Sequence, residues 1–100
     1  MNGLICSSGG APYKVEVTTA PTLVVRNSNA TKYIRITNLG SNAVYLCPGN
    51  ETPAAETGIV LTPYLSPGCY IEFNNTNMFY CNFMAVTSTG SSDVAVLIGF

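Results

Sequence analysis

The sequence predicts an all-β domain: an antiparallel β-sandwich or jelly-roll-like barrel of seven to eight short strands, preceded by an N-terminal arm. Three observations predict it. The apolar runs are short, rich in Val, Ile, Tyr and Phe, and mostly alternate with polar residues. Clusters of Gly, Pro, Asn and Ser separate them every ~8–12 residues, the spacing of sandwich turns. No window sustains the i, i+3, i+4, i+7 repeat of an amphipathic helix. A chain of 100 residues holds one domain, assigned to residues 13–100.

Residues 1–12 form the arm. Leu4 and Ile5 sit ahead of Ser7-Ser8-Gly9-Gly10, a joint-like stretch. Residues 13–17 alternate, with Val15 and Val17 on one face. Leu23, Val24 and Val25 make a short strand, and Asn27-Ser28-Asn29 a turn. Residues 32–38 are the clearest strand: Ile34 and Ile36 face one way, Tyr33, Arg35 and Thr37 the other. Residues 39–42 turn the chain into residues 43–47, where Val44 and Leu46 oppose Tyr45 and Cys47. A four-residue loop containing Gly40 predicts that these two strands pair as a hairpin.

Residues 48–57 are a polar loop. Residues 59–61 are a short strand, and residues 62–68 a loop with a Pro67-Gly68 turn signal. Residues 70–73 alternate, with Ile71 and Phe73 inward. Residues 78–87 are almost wholly apolar, which predicts a long strand with both faces covered, central in its sheet or under a neighbouring subunit. Residues 93–99 close the chain with Val94, Val96 and Ile98 on one face.

The composition excludes several functions. Charged residues are 9% of the chain, net charge −1, against about 25% charged in an average domain. Four scattered cations, Lys14, Arg26, Lys32 and Arg35, neither neutralise a phosphate backbone nor hold an anionic membrane, so no nucleic-acid or membrane partner is expected. No run reaches the length of a membrane-spanning helix, and residues 1–6 lack a signal peptide's basic start, which predicts synthesis in the cytoplasm. Histidine is absent, and with it the commonest general base and metal ligand. No G-x-S-x-G elbow is present. Glu51, Glu56, Glu72 and Asp93 show neither a paired-acid nor an EF-hand spacing. The reading is therefore a non-enzyme without catalytic residues, metal or cofactor. Cys6, Cys47, Cys69 and Cys81 are too far apart in sequence for a finger-type pair and read as reduced thiols. Asn29, Asn50 and Asn74 begin glycosylation-acceptor triplets, which chance supplies in a chain with 29 Asn, Ser and Thr residues.

Three segments carry a resemblance. The first is Ile36, Asn38, Gly40, Ser41, Val44, Tyr45 and Leu46, an I-x-N-x-G-S-x-x-V-Y-L pattern. The second is Thr57, Gly58, Ile59, Leu61 and Pro63, a T-G-I-x-L-x-P pattern. The third is Ala85, Ser88, Gly90, Val94 and Val96, an A-x-x-S-x-G-x-x-x-V-x-V pattern. Over residues 22–99 the chain resembles small β-sandwich virion proteins of tailed bacteriophages, in which the first and last patterns read as hairpins. It departs from that pattern at two glycines: Cys47-Pro48 precedes Gly49, and Tyr64 to Gly68 replace the glycine after the proline. The resemblance implies a capsid decoration (cement) protein that binds and stabilises the assembled head. Its partners would be the major capsid protein or other virion proteins, and it would be a homo-oligomer, with a trimer expected. The alternative is a tail, head-fibre or vertex accessory protein that contacts a host-surface glycan.

The candidate contact residues follow from side-chain chemistry. Tyr33, Tyr45, Tyr70 and Tyr80 fall opposite the aliphatic core sets, and tyrosine joins apolar area to a polar tip. Tyr64 and Leu65 lie between prolines in a loop. Leu4 and Ile5 on the arm complete the set, placed to bury against a neighbour.

Overall fold

The structure is a computed structural model that describes residues 12–26, 31–49, 58–74 and 81–99. Eight strands occupy them: β1 (Tyr13–Val17), β2 (Thr22–Val25), β3 (Tyr33–Asn38), β4 (Val44–Pro48), β5 (Ile59–Leu61), β6 (Tyr70–Phe73), β7 (Phe83–Thr87) and β8 (Ser92–Gly99). They form two four-stranded sheets, ordered β1-β8-β3-β6 and β2-β7-β4-β5, with every pairing antiparallel. This is the β-sandwich the alternation predicts.

The pairing order is more specific. β1 pairs β8, β2 pairs β7, β3 pairs β6 and β4 pairs β5. The second half of the chain retraces the first in reverse. The further pairings β3–β8 and β4–β7 join these pairs into the two sheets. That connectivity is a jelly roll, the two-sheet arrangement of eight strands built from Greek keys.

The core sits between the sheets. Val17, Ile34, Ile36, Phe73, Val94 and Val96 come from one sheet; Val24, Val25, Val44, Leu46, Leu61, Phe83 and Ala85 come from the other. Period-two alternation delivers each of these inward from its strand, except in β2. There the register with β7 shifts between Leu23 and Val25, and this irregularity lets Val24 and Val25 both reach the core. Phe73 and Phe83 meet across the sandwich with ring centroids 5.3 Å apart and a tilt of 37°, a favourable aromatic geometry. Tyr13 ties two sheet edges together: its hydroxyl donates to the Val24 carbonyl at 2.8 Å.

Three sequence expectations need correction. β3 and β4 are not a hairpin; they lie in different sheets. The backbone edges of β3 are taken by β6 and β8, and those of β4 by β5 and β7, so residues 39–43 carry the chain from one sheet to the other. The same holds for β7 and β8, the last patterned segment. The strand expected over residues 78–87 is shorter among the described residues, and residues 78–80 lie outside them. It begins at Phe83, and Cys81 and Asn82 precede it outside the strand. It is central in its sheet, between β2 and β4, as expected. Cys47, Cys69 and Cys81 are free thiols; Cys6 lies outside the described residues.

Candidate interaction surface

Four connections gather at one end of the sandwich: residues 18–21, 39–43, 62–69 and 88–91. Asn38, the last residue of β3 and fully buried, organises them. Its side-chain oxygen accepts from the Gly40 amide at 3.0 Å and the Ser92 hydroxyl at 2.6 Å. Its amide nitrogen donates to the carbonyls of Asn42 (2.8 Å) and Thr62 (3.0 Å), with that of Leu61 at 3.2 Å. One side chain thus links β3, the β3–β4 corner, the end of β5 and the start of β8. An asparagine suits this because it donates and accepts at once.

Backbone bonds complete the end. Leu39 N donates to Asp93 O, Tyr64 N to Gly40 O and Thr87 N to Thr18 O. The Asn42 amide donates to Ser91 O at 2.9 Å. Gly40 is needed here for space: a Cβ on it would lie 1.9 Å from Ser92 Oγ. Its φ is not positive, unlike that of Gly90, so space and not a left-handed conformation calls for glycine at this position.

The β5–β6 connection holds two successive turns. In the first, Ser66 N donates to Pro63 O, with Leu65 at the third position and φ +70°. In the second, Cys69 N donates to Ser66 O, with Pro67 second and Gly68 third at φ +87°. Both have the sign pattern of a type II turn, whose third position favours Gly or Asn. Thr62 clamps the base: its N donates to Gly68 O and its Oγ1 to Pro67 O at 2.8 Å. Leu65 projects from this frame 82% exposed, with Tyr64 beside it at 48%.

The two sheets present unlike outer faces. The β1-β8-β3-β6 sheet carries Lys14, Glu16, Arg35, Glu72 and Asp93 outward. Tyr33 and Tyr70 stand among them. The Tyr33 hydroxyl donates to Glu72 Oε2, and the Arg35 guanidinium lies 4.6 Å from the centre of the Tyr70 ring. Partial burial, then the hydrogen bond to Glu72 and its negative charge, push the Tyr33 phenol up to about 12. Burial also raises the Tyr13 phenol above its ordinary value.

Among the described residues, the strands of the other sheet put no charged side chain on its outer face; Arg26, exposed just beyond β2, stands at its margin. Leu23, Tyr45, Cys47, Val60 and Met84 make up that face together with the buried Val86, in register as Leu23–Met84–Cys47 and Val60–Tyr45–Val86. The four connections of the loop end also lack a charged residue.

The candidate tyrosines therefore do not share one surface. Tyr33 and Tyr70 belong to the charged face, Tyr45 to the uncharged face, and Tyr64 with Leu65 to the loop end. Leu4, Ile5 and Tyr80 lie outside the described residues. Sequence reading missed Asn38 as an organiser. An Asn-x-Gly at a strand end signals a local side-chain turn, but its contacts with Leu61, Thr62 and Ser92 are long-range and have no sequence signature. Among the described residues, no three His, Cys, Asp or Glu side chains gather as a metal site. No family model, no curated protein and no solved structure matches the chain.

Proposed function

We propose that this chain is a structural virion protein, a capsid decoration protein that binds the assembled head of a tailed phage and stabilises it. Jelly rolls serve capsid, lectin and enzyme families alike, so the fold by itself does not decide. The observation that carries the reading is the segregation of charge. Among the described residues, the outward charges of the strands stand on one sheet, while the strands of the opposite sheet and the adjoining loop end carry none. A domain that keeps one face for water and two contiguous surfaces free of charge suits packing within an assembly. The resemblance of the three patterned segments to phage virion proteins supports a phage head as that assembly.

The mechanism is mass action. A protein that binds the assembled shell and not its dispersed subunits stabilises the shell in proportion to its occupancy. Several copies joined as a homo-oligomer would multiply a weak contact into a tight one. The test is quantitative mass spectrometry of purified particles, taking the ratio of this chain to the major shell protein. A ratio near one, or a simple fraction of it, is expected. A handful of copies per particle would reassign the chain to the tail or a vertex, and its absence would overturn the virion reading.

A further inference from the structure

We propose that the β5–β6 connection is a preformed docking knob, whose Leu65 inserts into an apolar pocket on the protein lattice of the head. The inference rests on the decoration reading above and names the contact that would carry it.

The first argument is residue choice. The loop has two left-handed third positions of like geometry, at Leu65 and at Gly68. The second holds the glycine that such a turn favours; the first holds a bulky leucine, for which positive φ is an outlier. Strain of this kind persists only where surrounding bonds over-determine it, and it concentrates at active sites, ligand clamps and switch regions. Here the bonds are visible: Ser66 to Pro63, Cys69 to Ser66, Thr62 to Gly68 and Pro67, and Tyr64 to Gly40.

The second argument is exposure. Leu65 gains no burial inside the domain in exchange for that conformation, since it is 82% exposed. A core role therefore does not account for it. Anchors in protein interfaces are apolar or aromatic side chains that fill partner pockets, held in advance so that little ordering remains at binding. Leu65 flanked by Tyr64, on a loop stiffened by Pro63 and Pro67, meets that description.

The third argument concerns the occupant. The four connections at this end carry no charge, so an anionic lipid surface has nothing here to attract it, and one leucine is a weak membrane anchor. An uncharged protein pocket fits, and under the decoration reading that pocket belongs to the shell.

The experiment compares wild type with Leu65→Asn and Leu65→Met, each added to heads that lack the chain and measured by co-sedimentation, with melting followed by calorimetry. Asn accepts the left-handed turn without the apolar side chain; Met keeps apolar reach and keeps the strain. Leu65→Asn is expected to melt about 4–8 °C higher and to bind heads at least ~10-fold more weakly. Leu65→Met is expected to bind within ~3-fold of wild type, as volume-conserving apolar exchanges are tolerated best. Leu65→Asn binding like wild type overturns the knob and leaves the decoration reading standing. Wild type that fails to bind heads overturns both, and wild type that instead floats with phosphatidylcholine vesicles makes the loop a membrane contact.

Discussion

Asn38 shows how much one side chain can decide. It is fully buried and faces an amide, a hydroxyl and three carbonyls, and all buried side-chain polar atoms among the described residues are partnered. Asn38→Ala would strand several of these groups at once, and each buried polar group left alone costs about 1–3 kcal/mol. Urea unfolding is expected to show a loss of about 3 kcal/mol or more, a large part of a small domain's stability. Gly40→Ala should act through the same contact, because its Cβ would displace the Ser92 hydroxyl from Asn38. We expect a loss of about 2 kcal/mol alone and less than additivity in the double variant. Tyr33 gives a pH test. Its folded-state value lies near 12 against an ordinary 10. A raised value adds stability that is full below pH 10 and is lost as pH climbs from 10 through 12. Phenolate absorbance should show Tyr33 ionising late, as Tyr13 does through burial, and Glu72→Gln should lower the Tyr33 value in part, because burial remains.

At the scale of the element, alternation explains most of what the strands do. β3, β4 and β8 read in and out as the sequence implies, with Ile34, Ile36, Val44, Leu46, Val94 and Val96 buried. β2 departs because a register irregularity turns two consecutive valines inward, and no composition rule marks that place. β1 against β8 contains an avoidable conflict. Glu16 stands directly opposite Asp93 on the solvent face, and like charges so placed are destabilising. Glu16→Thr is expected to raise stability by about 0.5 kcal/mol, with a smaller gain at high salt; thermal melts at low and high ionic strength check it. The hairpin reading of β3 and β4 failed for a physical reason. Loop length permits a hairpin, but pairing is settled by which strands compete for each edge, and β6, β8, β5 and β7 occupy those edges.

At the scale of the whole molecule, the sandwich is two-sided. Contacts made through the uncharged sheet face and loop end should be governed by apolar burial rather than by ion pairing. Binding to heads is therefore expected to change by less than about threefold between low and high salt, because screening acts on exposed charges that these surfaces lack. A steep fall in affinity with salt, measured by the same co-sedimentation, would place the contact on the charged sheet around Arg35 and Glu72 instead.

Composition and period determined the fold class by themselves. Short alternating runs separated by turn residues leave a strand no stable choice but to bury one face, so an antiparallel sandwich or barrel follows from local pattern alone. The free thiols at Cys47, Cys69 and Cys81 agree with the sequence reading too. Tyr64 and Leu65 were legible as loop residues between prolines; that Leu65 occupies a glycine's conformation was not, since φ is set by the bonds of Thr62, Ser66 and Cys69 around it. Only the tertiary structure decided the strand order, the jelly-roll pairing and the segregation of charge. Those depend on which distant strands meet, and pairing between distant strands is paid for by the cooperative core, which no local window contains.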